Sequence, residues 1–292
     1  MKRGAPLLLA VLLAGCPRSA AGLLDHADKL EGRRDFPAAL AAYRDALRRL
    51  DTDRGAGFLA IRTRALAHLA DLCYLDMGDT RCAADAYRRL LERHPDAPES
   101  HQARIHYAEM LRDRGDWTDA IAQYEALVSA YPEAPGAPGF KLQAAQGYFE
   151  LGDYPQAATE ARALLERFPR SAEAPSARFL LAGCHEMQGH RAEAMAAYQE
   201  LIDRAPPPDL LGRAQFSLGQ LLERTGENER ALAILVSSLR THPDPLLVRG
   251  EIERLERKMA DEKRLAEHPD AFHDDDRRAD ARRPRPASGT GD

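Results

Sequence analysis

The sequence predicts an all-α solenoid of about six helix–turn–helix units, closed at its C-terminal end by a capping helix. Two regularities and the composition predict it. Gly78, Gly115, Gly152, Gly189 and Gly226 are each 37 residues apart, and so are Pro95, Pro132, Pro169, Pro206 and Pro243. Self-similarity at a fixed period of this size marks stacked supersecondary units. Only 6% of the 292 residues are aromatic; Ala, Leu, Arg and Glu dominate, and these are strong helix formers. The β-branched alternation that marks strands is scarce.

One unit can be read from its residues. Ahead of each glycine, apolar or small residues recur at helical spacing, as in Tyr107, Ala108 and Leu111 or Leu218, Gly219 and Leu222. The glycine ends that helix because it takes the left-handed conformation at little cost. Asp79, Asp116 and Asp153 follow where an N-cap is needed. A second helix then carries an alanine five residues after the glycine (Ala83, Ala120, Ala157, Ala194, Ala231). Nine after it stand Tyr87, Tyr124, Ala161, Tyr198 and Leu235, and twelve after it Leu90, Leu127, Leu164, Leu201 and Ser238. Proline stops the second helix. A divergent first unit fits the same frame, with Arg34 in the glycine place and Ala39, Tyr43 and Ala46 behind it. Its spacing to the next unit is 44 residues, because 51–57 insert a loop.

This pattern resembles the tetratricopeptide repeat: small residue, aromatic, Gly-Asp-aromatic, Ala-x-x-x-Tyr, then Pro. Gly115-Asp116-Trp117 with Ala120 and Tyr124, and Gly152-Asp153-Tyr154 with Ala157, carry it best. The resemblance covers about residues 20–243. It departs in two ways. The usual bulky aromatic early in the first helix is replaced by Arg104, Lys141, Arg178 and Gln215, and the period is three residues longer than the common form. Those three residues fall between proline and the next glycine, so the first helix is expected to lengthen by almost a turn. The longer form, with joints such as Pro95-Asp96-Ala97-Pro98, is similar to envelope lipoproteins of this family. The relatives it implies serve outer-membrane barrel assembly or the Tol–Pal system, and no residue signature selects between them.

The N-terminus reads as an address. Lys2 and Arg3, then the apolar run from Leu7 to Ala14, form an export signal over residues 1–15; the run is too short to span a bilayer. Leu13-Ala14-Gly15-Cys16 resembles a bacterial lipobox, which implies cleavage before Cys16 and its acylation, several chains together giving a stable anchor. Pro17 in place of Asp implies, by the same resemblance, sorting to the outer membrane. The alternative is an ordinary signal cut after Ser19-Ala20-Ala21 that leaves a soluble periplasmic protein. Helical pattern resumes near Ala20, about four residues after Cys16, a reach of roughly 14 Å at full extension. The expected organisation is therefore signal 1–15, lipidated cysteine and linker 16–22, solenoid 23–243, capping helix 244–267 and disordered tail 268–292.

A solenoid carries function on its curved surface, and in this family the first helices line the concave face. Six and three residues before the glycines stand Leu72 and Leu75, Glu109 and Arg112, Gln146 and Phe149, Gly183 and Glu186, and Gln220 and Glu223. The reading makes Leu72, Leu75, Glu109, Arg112, Gln146, Phe149, Glu186, Gln220 and Glu223 a groove for envelope proteins or peptides, apolar at one end and acidic-polar at the other. Ten before the glycines, His68, Ile105, Leu142, Phe179 and Phe216 are expected to pack between repeats.

No catalytic residue, metal site, cofactor or small-molecule substrate is expected. His185-Glu186-Met187-Gln188-Gly189-His190 lacks the second histidine at i+4 that a zinc helix needs, and no phosphate loop or nucleophile elbow occurs. The net charge of −5 becomes −7 once Lys2 and Arg3 leave with the signal, which argues against nucleic acid as a partner. Cys73 and Cys82 flank the Gly78 turn, nine residues apart; buried thiols are the default, and export would permit a bridge. After Pro243, Val248, Ile252, Leu255 and Met259 form one stripe of a capping helix. The segment from His268 to Asp292 is nearly devoid of apolar residues and reads as a solvated tail, including His273-Asp274-Asp275-Asp276. The function implied is a membrane-anchored scaffold in a bacterial envelope complex and not an enzyme; the alternatives are a soluble periplasmic peptide-binding or chaperone-like module, or an enzyme whose site interrupts the repeat register.

Overall fold

The computed structural model describes residues 19–52 and 58–267; the expected signal 1–15, Cys16 and the expected tail 268–292 lie outside them, as does most of the 51–57 insertion. The described residues are helical, without a strand. In chain order the helices are α1 (Ala20–Gly32), α2 (Phe36–Thr52), α3 (Leu59–Asp71), a π-helical turn (Leu72–Asp76), α4 (Thr80–Arg93), α5 (Ser100–Asp113), α6 (Trp117–Ala130), α7 (Ala137–Glu150), α8 (Tyr154–Arg167), α9 (Ala174–Met187), α10 (Arg191–Asp203), α11 (Pro208–Arg224), α12 (Asn228–Ser238) and α13 (Pro245–Glu267). The described residues fall into two compact units, divided between Ala177 and Arg178. No described helix is long and apolar enough to cross a membrane.

Hairpins close through left-handed residues. All five repeat glycines have positive φ, from 65° at Gly78 to 83° at Gly226. A Cβ at any of them would meet nothing within 4 Å, so the requirement is conformational and not steric. The following residue donates its N–H back to the carbonyl five residues earlier, Asp116 to Leu111, Asp153 to Tyr148, His190 to His185 and Glu227 to Leu222, at 2.9 Å each. This satisfies carbonyls that a helix end leaves open. Arg34 makes the same turn with φ 62°, Asp35 donating to Leu30. Asp79 and Asp153 cap α4 and α8, accepting from the N–H groups of Cys82 and Gln156. Asp116 caps nothing with its side chain; it pairs at 2.9 Å with Arg114 instead, a cation the other glycine turns lack at that place.

The prolines act as the sequence implies, and the three extra residues are taken up in two ways. First helices α5 and α7 and second helices α6 and α8 all have 14 residues, so there the first helix is not the longer one; after Pro206 the expected lengthening occurs, α11 having 17 residues and α12 having 11. The residues between proline and helix form two successive turns: Ala97 donates to His94 and Ser100 to Ala97, then Ala134 to Tyr131 and Ala137 to Ala134. Proline at the second position of each joint favours a turn over a longer helix.

In the first unit, α1 packs on α2, α3 on α4, α5 on α6 and α7 on α8, while α1 also lies against α3 and α3 against α5. First helices thus share one layer and second helices the other. The contact between layers is the buried alanine column, Ala39, Ala83, Ala120 and Ala157, each fully buried, with Tyr43, Tyr87, Tyr124 and Leu90, Leu127, Leu164 beyond it. In the second unit Ala194, Tyr198, Leu201, Ala231 and Leu235 repeat that core, and α13 closes it with Val248, Ile252 and Leu255.

The second repeat holds one residue too many, absorbed by the π turn. Its hydrogen bonds span five residues, Met77 to Leu72, and the closing bond spans six, Asp79 to Cys73 at 2.7 Å. Upstream of the turn every side chain is displaced by one position relative to the other repeats. Asp71 stands seven before its glycine, where the other repeats bury Ala108, Ala145, Ala182 and Gly219.

Arg34 adopts a conformation that costs a non-glycine residue roughly 1–2 kcal/mol. Arg34→Gly is expected to stabilise the protein by about 1 kcal/mol, measured by urea unfolding; an unchanged or lower midpoint contradicts the account.

Candidate functional site: the first-helix face

The face made by the first helices carries a polar ladder at three of the tyrosine positions, 43, 87 and 198; the Tyr124 hydroxyl is buried without such an acceptor. In the first copy, the fully buried Tyr43 puts its hydroxyl 2.8 Å from Asp28 Oδ1 and in contact with Glu31, with His68 Nδ1 at 3.3 Å. In the second copy, Tyr87 donates to Asp71 Oδ1 at 2.6 Å, and His106 Nδ1 meets the same oxygen at 2.9 Å. Allowing for the extra residue of the π turn, Asp28 matches Asp71, Tyr43 matches Tyr87 and His68 matches His106. Burial first, and then the neighbouring carboxylates, push both phenols far above their ordinary value. They stay protonated as donors. In the second unit Tyr198 lies 3.4 Å from Glu186, the same pair in a looser form.

The register places most of the sequence-predicted groove residues on this face and misplaces one. Leu72 is fully buried because the π turn rotates it inward; Asp71 takes its place. Leu75 is 59% exposed, and Glu109, Arg112, Gln146 and Phe149 are half-buried. Arg112 is held by Asp113 at 2.8 Å, and Phe149 packs edge-on against Tyr154, ring centres 5.1 Å apart. In the second unit Glu186 pairs with Arg224 at 3.1 Å. Gln220 and Glu223 are engaged by the protein's own α13: Gln220 lies 3.5 Å from Glu251, and Glu223 takes Arg254 and, at 3.1 Å, Lys258. Their partner is intramolecular. The contacts with Arg254 and Lys258 hold the Glu223 carboxyl below its ordinary range.

The inter-repeat ladder behaves as read at Ile105, Leu142, Phe179 and Phe216, which are buried in or packed against the cores. His68 departs, again because of the π turn. Cys73 and Cys82 are joined as a disulfide, not left as the two thiols taken as the default, and Cys184 is buried. Among the described residues only Asp28, Glu31 and His68 form a group able to hold a metal ion; His185 and His190 are not part of one. Sequence reasoning also missed a cleft of about 470 Å³ on α4, α5 and α6, where Arg88, Arg104 and Arg114 face Glu92, Asp116 and Asp119. Its lining comes from three helices of two repeats, so counting along one helix from a glycine does not find it.

Residues 73–135 and 142–209 match the family profile described as tetratricopeptide repeat. The fold is that of the tetratricopeptide repeat. Solved structures agree. A tetratricopeptide repeat protein from Parabacteroides merdae is 19% identical, with TM-score 0.54 over 82% of this chain and 87% of that one. The C-terminal part of a TPR repeat-containing protein from Cytophaga hutchinsonii is 14% identical, with TM-score 0.59 over 84% and 92%. No curated protein sequence matches the chain. Tetratricopeptide repeats present extended surfaces to other proteins, and neither the family profile nor these structures names an enzyme.

Two outcomes test the site's electrostatics. Asp71 raises the His106 pKa above 6.5, chiefly through their hydrogen bond. A raised imidazole contributes stability that is full below the unfolded value and lost as pH climbs through the folded one. An NMR titration of His106 is expected to show a midpoint above 6.5 that falls on Asp71→Asn; an unmoved midpoint refutes the contact. For Glu223 the sign reverses: its stabilisation is present above the unfolded carboxylate value and lost as pH falls through the depressed folded value. Arg254→Ala is expected to cost about 1 kcal/mol, since the guanidinium is half-exposed, and to speed amide exchange in α13. Unchanged protection there contradicts the docking.

Proposed function

We propose that the chain is a membrane-tethered adaptor of a bacterial envelope complex, holding protein partners on the first-helix face of its repeats. The observation that carries this reading is the placement of Leu13-Ala14-Gly15-Cys16, a lipobox-like ending, directly ahead of an interaction fold whose first helix starts at Ala20. Cys16 is the lipidated residue and the outer membrane, periplasmic side, its location. Support comes from the Cys73–Cys82 disulfide, which suits an oxidising compartment such as the periplasm. Partners meet exposed Leu75 and the half-buried Asp71, Glu109, Gln146 and Phe149, a mixed apolar and acidic surface suited to an amphipathic peptide with basic residues. The second reading is a soluble periplasmic peptide-binding module with the same face and no anchor.

Fractionation separates the two. Cys16→Ser is expected to move the protein from membrane to soluble fraction, and no movement supports the soluble form. Leu75→Asp with Phe149→Asp is expected to lower recovery of crosslinked envelope partners at least tenfold, about 1.4 kcal/mol of binding; full recovery would place the binding surface elsewhere.

A further inference from the structure

We infer that the first copy of the polar ladder is a binding site for a divalent transition-metal ion of the zinc class, with His68 Nδ1, Asp28 Oδ1 and Glu31 Oε2 as its protein ligands. The three residues offer donor atoms all within 4.8 Å of one another. His68 Nδ1 lies 3.4 Å from Asp28 Oδ1 and 3.8 Å from Glu31 Oε2. Ligands of a tetrahedral zinc ion with bonds of about 2.0–2.1 Å stand roughly 3.3–3.4 Å apart, so these separations are close to the edges of such a polyhedron. One imidazole with two carboxylates is a donor set zinc accepts.

The second copy provides an internal control. There, Asp71 and His106 close to a 2.9 Å hydrogen bond with Tyr87, and the position matching Glu31 carries no acid, since Tyr74 and Leu75 stand there. That copy is a satisfied hydrogen-bonded triad. In the first copy an additional carboxylate enters, and the imidazole stands back from Asp28 at a distance too long for a good hydrogen bond.

Supporting groups are also in place. Arg64 holds Asp28 Oδ2, leaving Oδ1 turned toward His68, and the Tyr43 hydroxyl touches both carboxylates from the buried side. Such outer contacts orient metal ligands. On the open side lies a cavity of about 460 Å³ lined by Asp28, Glu31 and His68 together with Gly32, Arg34, Phe36 and Asp76, leaving room for water in the remaining coordination position. The ligands are 23%, 29% and 39% exposed, so an ion reaches them without unfolding. Because Asp28 and Glu31 belong to α1 and His68 to α3, the ion would clamp the terminal repeat onto its neighbour.

Isothermal titration of the full, chelator-stripped chain with Zn²⁺ tests this. One saturable site is expected, weakened at least tenfold by Glu31→Gln and by His68→Gln and unchanged by His106→Gln. No saturable binding, or equal binding in the Glu31→Gln and His68→Gln proteins, overturns the assignment. Circular dichroism checks that the variants fold. A measurement on the unmutated chain stands beside them: Co²⁺ is expected to give ligand-field absorption without a thiolate charge-transfer band and to broaden the His68 ring signals selectively. A thiolate band, or broadening at other histidines only, overturns it as well.

Discussion

The repeats depend on one backbone event, the reversal of chain direction through a single left-handed residue at the end of each first helix. Only this turn brings the alanine five residues on against the helix just completed, and only a residue as small as alanine lets the two axes approach that closely. The tyrosine four residues later then reaches past the alanine to the first helix and to the next repeat. Move the turn by one residue and both lose their partners. Glycine supplies the conformation five times, with no steric demand on the missing Cβ, and Arg34 supplies it once at a cost. That the costly residue is tolerated shows how strongly the surrounding packing determines the turn.

The tyrosines at 43, 87 and 198 give the fold its polar character. Each is buried as a ring while its hydroxyl must find an acceptor, and the acceptor comes from the first helix as Asp28, Asp71 or Glu186; the Tyr124 hydroxyl is buried without one. A packing column in the interior thereby fixes where acids stand on the first-helix face. A substitution on that face that removes one of these carboxylates also leaves a buried phenol without its partner.

Much of this was legible from spacing alone. The glycine and proline columns, the alanine and tyrosine columns and the capping stripe on α13 all follow from residue types whose role is local. What was not legible has local physical causes too. Leu72 was placed on the open face by counting back from Gly78, and the count fails because a π turn carries an extra residue. The sign was present: Asp71 occupies a column that elsewhere holds only alanine or glycine. Gln220 and Glu223 were read as groove residues because their register is right, but a capping helix brings Arg254 and Lys258 to them, a contact set by the angle of α13 and not by any repeat. The joints at Pro95, Pro132 and Pro169 absorbed the three extra residues as turns, where proline outweighed helix propensity, while α11 took them into the helix as expected. The clustering of Asp28, Glu31 and His68 required the shifted register and so could not be counted out beforehand.

The π turn also bears on how such a protein tolerates change. Insertions in repeat arrays are usually assigned to loops, yet here one residue is stored inside a helix, and the helix upstream continues with its faces turned by about 100° from where simple counting puts them. Deleting that residue would keep the turn, the alanine and the tyrosine, and would leave Asp71 six and His68 nine residues before the glycine, the places that Glu109 and His106 hold in the next repeat. Closing the π turn into regular helix with the residue retained would instead carry His68 off the polar face and turn Asp71 toward the interior. The insertion is therefore silent on the faces above it only as long as the π turn persists.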